Sequence, residues 1–282
     1  MNRNAVAFAA TVLVVGAACP DLVDAAEYDT LPEAEAARPL VAPAMTFRGD
    51  LHIPIQRVDF GIGGGRTVVG FPFLGAGFSP TNWVQIDAAV LPIIISPDAE
   101  FSGPEFAATF AFLGNDADIE VGGRIGFQIP GTTEFYSINL GVPVRFHLAD
   151  DVVRLDTGFT MSVWGSSSGG DANFGLLQSR TLPFHSVPVM AEPSIPVDVT
   201  VSIVENFFVR GYTGFGVGTV EESDSVFFPL GFGAGGSIPV EDGFLIDVRG
   251  DLGFPILFTP EEVVGDTFRI GLTGSVYYDF DS

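Results

Sequence analysis

The residues with chemical potential in this chain recur at every second position. In Phe135–Leu148, Ser137, Asn139, Arg145 and His147 alternate with Tyr136, Ile138, Leu140, Val142, Val144, Phe146 and Leu148. The next segment sets Arg154 and Asp156 against Val153, Leu155 and Phe159, and a later one sets Asp247, Arg249 and Asp251 against Ile246, Val248 and Leu252. Arginine and carboxylate on one face can form bidentate pairs, and where such a face lines a cavity it can sort solutes by charge. The 12 basic residues are all Arg. The same alternation places Arg48, Arg66, Arg124, Arg145, Arg154, Arg210, Arg249 and Arg269 on the polar face. It adds Asp50, Asp87, Glu105, Glu120, Asp156, Glu192, Asp198, Asp247, Asp251 and Asp279. Hydrolysis is the competing chemistry and would need a histidine base. Of His52, His147 and His185, only His185 adjoins a nucleophile, Ser186. Neighbours on a strand point oppositely, so that dyad is poorly arranged, and no catalytic residue and no cofactor is assigned.

Period two means β-strand, because successive side chains leave opposite faces. Twelve such strands are predicted: 47–56, 66–74, 83–95, 105–113, 118–129, 135–148, 152–164, 187–203, 207–217, 227–240, 244–256 and 267–280. Ten or fourteen also fit, because the second is broken by glycine. Short turns separate alternate strands at Ser79–Asn82, Gly114–Asp116, Ala149–Asp151, Glu205–Asn206 and Glu241–Gly243. Asn, Asp, Gly and Pro mark each one. The other connections, such as 165–186, are longer and polar or acidic. Gly61–Gly65 lacks a following Gly-Lys-Ser/Thr and reads as loop or bulge rather than a phosphate cradle. The acidic loop residues, including Glu221, Glu222, Glu261 and Glu262, show no metal-ligand spacing.

In this register no strand carries a charge on its apolar face. A charge on a lipid-facing surface near midplane costs about 2–4 kcal/mol, so that exclusion points to lipid outside and water inside. Aromatics gather near strand ends, Trp83, Phe244, Tyr278 and Phe280 at one end and Phe127, Trp164, Phe254 and Phe268 at the other, as interfacial girdles require. The last strand alternates Phe268, Ile270, Leu272, Val276, Tyr278 and Phe280 with Arg269, Thr273, Ser275, Tyr277 and Asp279, and two residues follow it. It resembles the terminal strand of Gram-negative outer-membrane β-barrels. That resemblance implies an all-β fold, an antiparallel up-and-down transmembrane barrel in the outer membrane, with both chain ends periplasmic. It also implies that barrel-assembly machinery reads Phe268–Phe280. A soluble β-sandwich is the rival fold.

The 282 residues carry 35 acids and a net charge of -23, which excludes nucleic-acid binding through net charge. Mean hydropathy is +0.39, yet no apolar run of about 20 residues follows the N-terminus. Residues 1–25 read as a signal peptide, with Arg3, an apolar run and small residues before the cleavage point. The single cysteine, Cys19, precludes an intrachain disulfide, and Gly16-Ala17-Ala18-Cys19 lacks the branched residue expected for lipidation. Residues 26–44, acidic and rich in Ala and Pro without a period, read as a flexible periplasmic leader, and 45–282 as the barrel. Two readings stay open for the interior. The charged rows can face each other across a pore that passes small solutes, or interlock and fill it, leaving a structural or adhesion barrel that acts through its loops.

Overall fold

The computed structural model describes residues 30–58, 66–70, 73–90, 93–95, 99–101, 104–113, 118–129, 135–166, 193–220, 223–240, 243–254 and 268–280. In chain order the strand segments are β1 (Thr46–Val58), β2 (Arg66–Gly70), β3 (Phe73–Thr81), β4 (Val84–Val90), β5 (Ile93–Ile95), β6 (Ala99–Phe101), β7 (Pro104–Leu113) and β8 (Ile119–Gln128). They continue as β9 (Phe135–Leu148), β10 (Val153–Ser166), β11 (Pro193–Val204), β12 (Phe207–Val220), β13 (Ser223–Phe227), β14 (Leu230–Val240), β15 (Phe244–Phe254) and β16 (Phe268–Asp279).

All belong to one antiparallel sheet that closes on itself. β1 pairs with β3 on one side and with β16 on the other, from Thr46↔Asp279 to Arg57↔Phe268. Twelve strands make the ring: β1, β3, β4, β7, β8, β9, β10, β11, β12, β14, β15 and β16. The short segments β2, β5, β6 and β13 prolong the wall at one end. This matches the strand count read from the alternation. Closure removes sheet edges and satisfies the backbone, the condition for a sheet to sit in lipid.

At the other end, which holds Thr46 and Asp279, the connections are tight. Between β9 and β10 the chain turns through Ala149, Asp150 and Asp151, all at positive φ. Short polar side chains at two of these positions fit that conformation. Within β10, Gly158 has φ +140, and a Cβ there would lie 2.2 Å from the Val142 carbonyl oxygen, so only glycine fits this irregular point.

The two faces separate as the sequence predicts. On β9, Tyr136 and Leu148 are exposed while Ser137, Asn139, Arg145 and His147 are buried. The large exposed residues are apolar around the whole ring, for example Leu51, Ile86, Phe127, Phe159, Ile195, Phe232, Leu252 and Leu272. Such a band is a lipid-facing surface rather than a water-facing one. Aromatic contacts lie near its margins: Phe244–Tyr278 (4.5 Å) and Tyr278–Phe280 (4.8 Å) at the tight-turn end, Phe106–Phe127 (5.4 Å) and Phe215–Phe228 (5.5 Å) at the other.

Candidate functional site

The inner wall carries a row of arginines and carboxylates placed by the strand register. Arg145 and Asp156 are direct cross-strand partners on β9 and β10, with Nε donating to Oδ1 at 2.6 Å. Arg154 reaches the same carboxylate from two residues away (2.9 Å). Arg210 on β12 pairs with Asp198 on β11. Arg249 pairs with Asp251 along β15 at 3.1 Å. On the far side of the ring Asp87 is held by Arg48 and Arg124, each at 3.1 Å. Gly77 lets Arg48 cross β3 to reach it: a Cβ at Gly77 would lie 2.8 Å from Asp87 Oδ1. Arg48 also binds Asp50 at 2.9 Å, and His147 binds Glu120 at 2.8 Å.

Of the inner-face residues named from sequence, Asp87, Glu120, Arg124, Arg145, Arg154, Asp156, Asp198, Arg210, Asp247 and Asp251 are buried, as are Glu105 and Asp279. Arg48, Asp50 and Arg249 are partly exposed. Glu192, and the side chains of Arg66 and Arg269, lie outside the described residues, as do His185 and Ser186. His52 meets Thr273 Oγ1 at 2.6 Å. Among the described residues no cluster of three or more His, Cys, Asp or Glu side chains could hold a metal ion.

These ion pairs share one property. Each lies within one strand, joins neighbouring strands, or joins strands with one strand between them; among the described pairs of the wall none spans the lumen. What spans it is the segment before β1. Residues expected to be a flexible leader are, from Glu35 to Ala44, packed inside the barrel: Ala36, Arg38, Leu40 and Val41 are at most 4% exposed. The segment touches β4, β8, β9, β10, β11, β14 and β15 at once, which is possible only from within the ring. The leader expectation is therefore corrected for these residues, and residues 1–29 lie outside the described part.

The contacts fall into two kinds. The first are to backbone. The N–H groups of Ala36, Leu40, Ala42 and Ala44 donate to Ser202 Oγ, Glu120 Oε2, Gln85 Oε1 and Asn82 Oδ1. Arg145 Nη1 donates to the carbonyls of Arg38 (2.8 Å) and Pro39 (2.5 Å), and Arg154 Nη1 to that of Glu35. The second kind centres on Arg38. Its guanidinium donates to both oxygens of Asp247, to Ser237 Oγ (3.0 Å), to Glu35 Oε2 and to the carbonyls of Pro32 (3.0 Å) and Glu33 (3.2 Å). It sits 5.1 Å over the Tyr277 ring. A buried guanidinium survives when its fork of donors is matched, and here every nitrogen has a partner.

Burial opposes ionisation of the Glu35 carboxyl, but the charges of Arg38, Arg154 and Arg249 outweigh it and hold its pKa down at about 2. Burial likewise opposes the Arg38 charge, and Glu35 and Asp247 overcome that, raising its pKa.

Sequence reasoning missed Glu35 and Arg38, and with them Ser237 and Ser202 as receiving groups. One signal was available. The inner face counted ten acids against eight arginines, and Arg38 is a lone arginine in an otherwise acidic leader.

No protein-family model and no curated protein sequence matches the chain. Solved structures do. The COG4313 outer membrane channel from Pseudomonas putida F1 superposes with a TM-score of 0.57 at 9% identity, over 84% of this chain and 97% of that one. KdgM porin matches at TM-score 0.49 and 9% identity over 83% and 99%. The translocator domain of autotransporter NalP from Neisseria meningitidis matches at 0.47 and 10% over 97% and 98%. At these identities the likeness is one of fold, and the first match carries it: the chain shares the closed antiparallel β-barrel fold of that outer-membrane channel.

Proposed function

We propose that the protein is an outer-membrane channel that passes small solutes through an Arg/Asp/Glu-lined lumen, with residues 35–44 as a removable restriction. The observation that carries this reading is the pairing pattern. The wall's ion pairs run side by side around the ring, and the described bridges between opposite walls pass through the N-terminal segment. An interior filled by interlocked wall side chains would leave nothing to remove. An interior filled by one N-terminal segment opens when that segment leaves.

The test is single-channel recording in planar bilayers. The intact protein should give small or infrequent conductance steps, and Arg38→Ala should give larger or more frequent ones. A barrel whose heat-modifiable gel migration shows it to be folded, yet which conducts in neither form, would favour the second reading: a closed barrel acting through its loops. The tight burial of the segment supports that alternative. Under either reading, membrane lipid and the assembly machinery, through Phe268–Phe280, are the expected partners.

A further inference from the structure

We propose that the inner wall around residues 35–44 is a binding site for a peptide segment, occupied here by the chain's own, and that short peptides carrying a basic residue are a solute class the vacated lumen accepts. This deepens the channel reading and rests on it for the transport step.

The argument begins with what the wall recognises. Four side chains on four different elements accept from backbone N–H groups, and two arginines donate to backbone carbonyls. The N–H groups at 40, 42 and 44 all meet acceptors on or beside β4 and β8, along a segment that begins as a 3-10 turn over Glu35–Ala37 and bends at residues 40 and 41. Pro39 and Pro43 have no N–H to leave unmatched between them. Groups that address only backbone are indifferent to the side chains of the guest. Ala36, Ala42 and Ala44 contribute little else, since they end at Cβ, while Leu40 and Val41 are buried as apolar side chains between them. A monatomic ion or a neutral sugar cannot reproduce this set of donors and acceptors. A peptide can, whatever its sequence.

Two positions are read by side chain: Glu35, whose carboxylate accepts from Arg154 Nη2 at 3.1 Å, and Arg38. Asp247, Ser237 and the Tyr277 ring form a receptor for a guanidinium, filled by Arg38. A fork of two carboxylate bonds beneath an aromatic face selects a planar cation over a neutral side chain. Placed among groups that bind backbone, it gives the site a preferred register, set by the basic residue.

Arg38→Ala in the full chain empties this receptor without altering the wall. Binding of a fluorescein-labelled synthetic peptide with the sequence of residues 33–44 is then followed by anisotropy, on folded protein in detergent. Saturable binding is expected, together with block of the current in bilayers. A peptide with Ala in place of the arginine should bind about tenfold more weakly or worse, and adding Asp247→Asn to the protein should weaken the arginine peptide by a similar factor. A neutral oligosaccharide should not compete. If Arg38→Ala does not reach the heat-modifiable form, Arg38→Lys, which keeps the charge but loses the fork, replaces it. Conductance without saturable peptide binding overturns the peptide site and leaves the channel standing. Binding that ignores both Asp247→Asn and the arginine in the peptide also overturns it. Saturable, Asp247-dependent binding to a barrel that never conducts supports the site and removes the channel.

Discussion

Arg38 and Asp247 decide whether the lumen is occupied. Their side chains are 5% and 10% exposed, and breaking a buried ion pair by deleting one partner costs about 3–5 kcal/mol. Because the stranded Asp247 can be rehydrated once the segment leaves, the cost in Arg38→Ala should appear as release of the segment rather than as unfolding. Limited proteolysis checks this: cleavage before β1 should accelerate in the variant while the barrel resists. Glu35 adds a pH dependence. Docked, its carboxyl titrates at about 2; released, it returns to the ordinary value near 4.5. The released form therefore takes up the proton first, so docking is at full strength above pH 4.5 and weakens as pH falls toward 2. The groups facing Glu35 are Arg38, Arg154 and Arg249, all charged throughout that window. Pepsin cleavage of the segment should rise between pH 4.5 and 2, and Glu35→Gln should reduce that rise. Only the lone arginine in an acidic leader hinted at this in the sequence. The partners of Arg38 and Glu35 lie as far as 209 residues away, and composition alone makes a stretch of Ala, Pro and Glu look solvated.

At the scale of elements, the wall is thinned where large residues must lie flat. Tyr212 on β12 lies over β14 and β15, where a Cβ at Gly231 or Gly253 would fall 2.0 Å or 1.8 Å from its ring or hydroxyl. At Gly253 the atoms met belong only to that side chain, so Gly253→Val should push Tyr212 off the wall toward the lumen rather than break the sheet. Overpacking of this kind costs about 1–3 kcal/mol. The check is a cycle of conductance measurements in the Arg38→Ala background: Gly253→Val should lower the current, and Tyr212→Ala in the same chain should restore it. The strands themselves were legible because alternation is a local signal. Predicted 135–148 coincides with β9, and Phe207 and Phe244 begin β12 and β15 as expected. Legibility failed where a strand breaks. β2 and β3 both pair with β1, in registers that differ by one residue, and β13 and β14 both pair with β12 on either side of Phe228 and Pro229, the latter lacking an N–H to pair.

For the whole molecule, the governing fact is the exclusion of charge from the outer face. Leu272 is exposed, lies midway along β16 and is paired to Ile53 and Gly250. Leu272→Arg should lower the folding free energy in lipid vesicles by about 2–4 kcal/mol, while Phe280→Arg at the margin should cost about 0–1 kcal/mol. Urea titration of the refolded protein measures both. Barrel closure was legible only in outline. An even strand count puts both chain ends on one side, but the contact that completes the ring, β1 with β16, joins segments at opposite ends of the sequence and leaves no local trace. That seam also fixes the root of the N-terminal segment. Met45 donates to the Ser79 carbonyl at 2.7 Å and accepts from Phe280 N–H at 3.2 Å, so the chain enters the lumen from a point clamped to both neighbouring strands. Ten residues separate Met45 from Glu35, a leash of about 35 Å at full stretch. Held on so short a leash, the released segment stays at an effective concentration on the order of millimolar over its own site. Re-entry is thus unimolecular and unaffected by dilution, and an untethered rival gains the lumen only if it approaches that concentration or binds better.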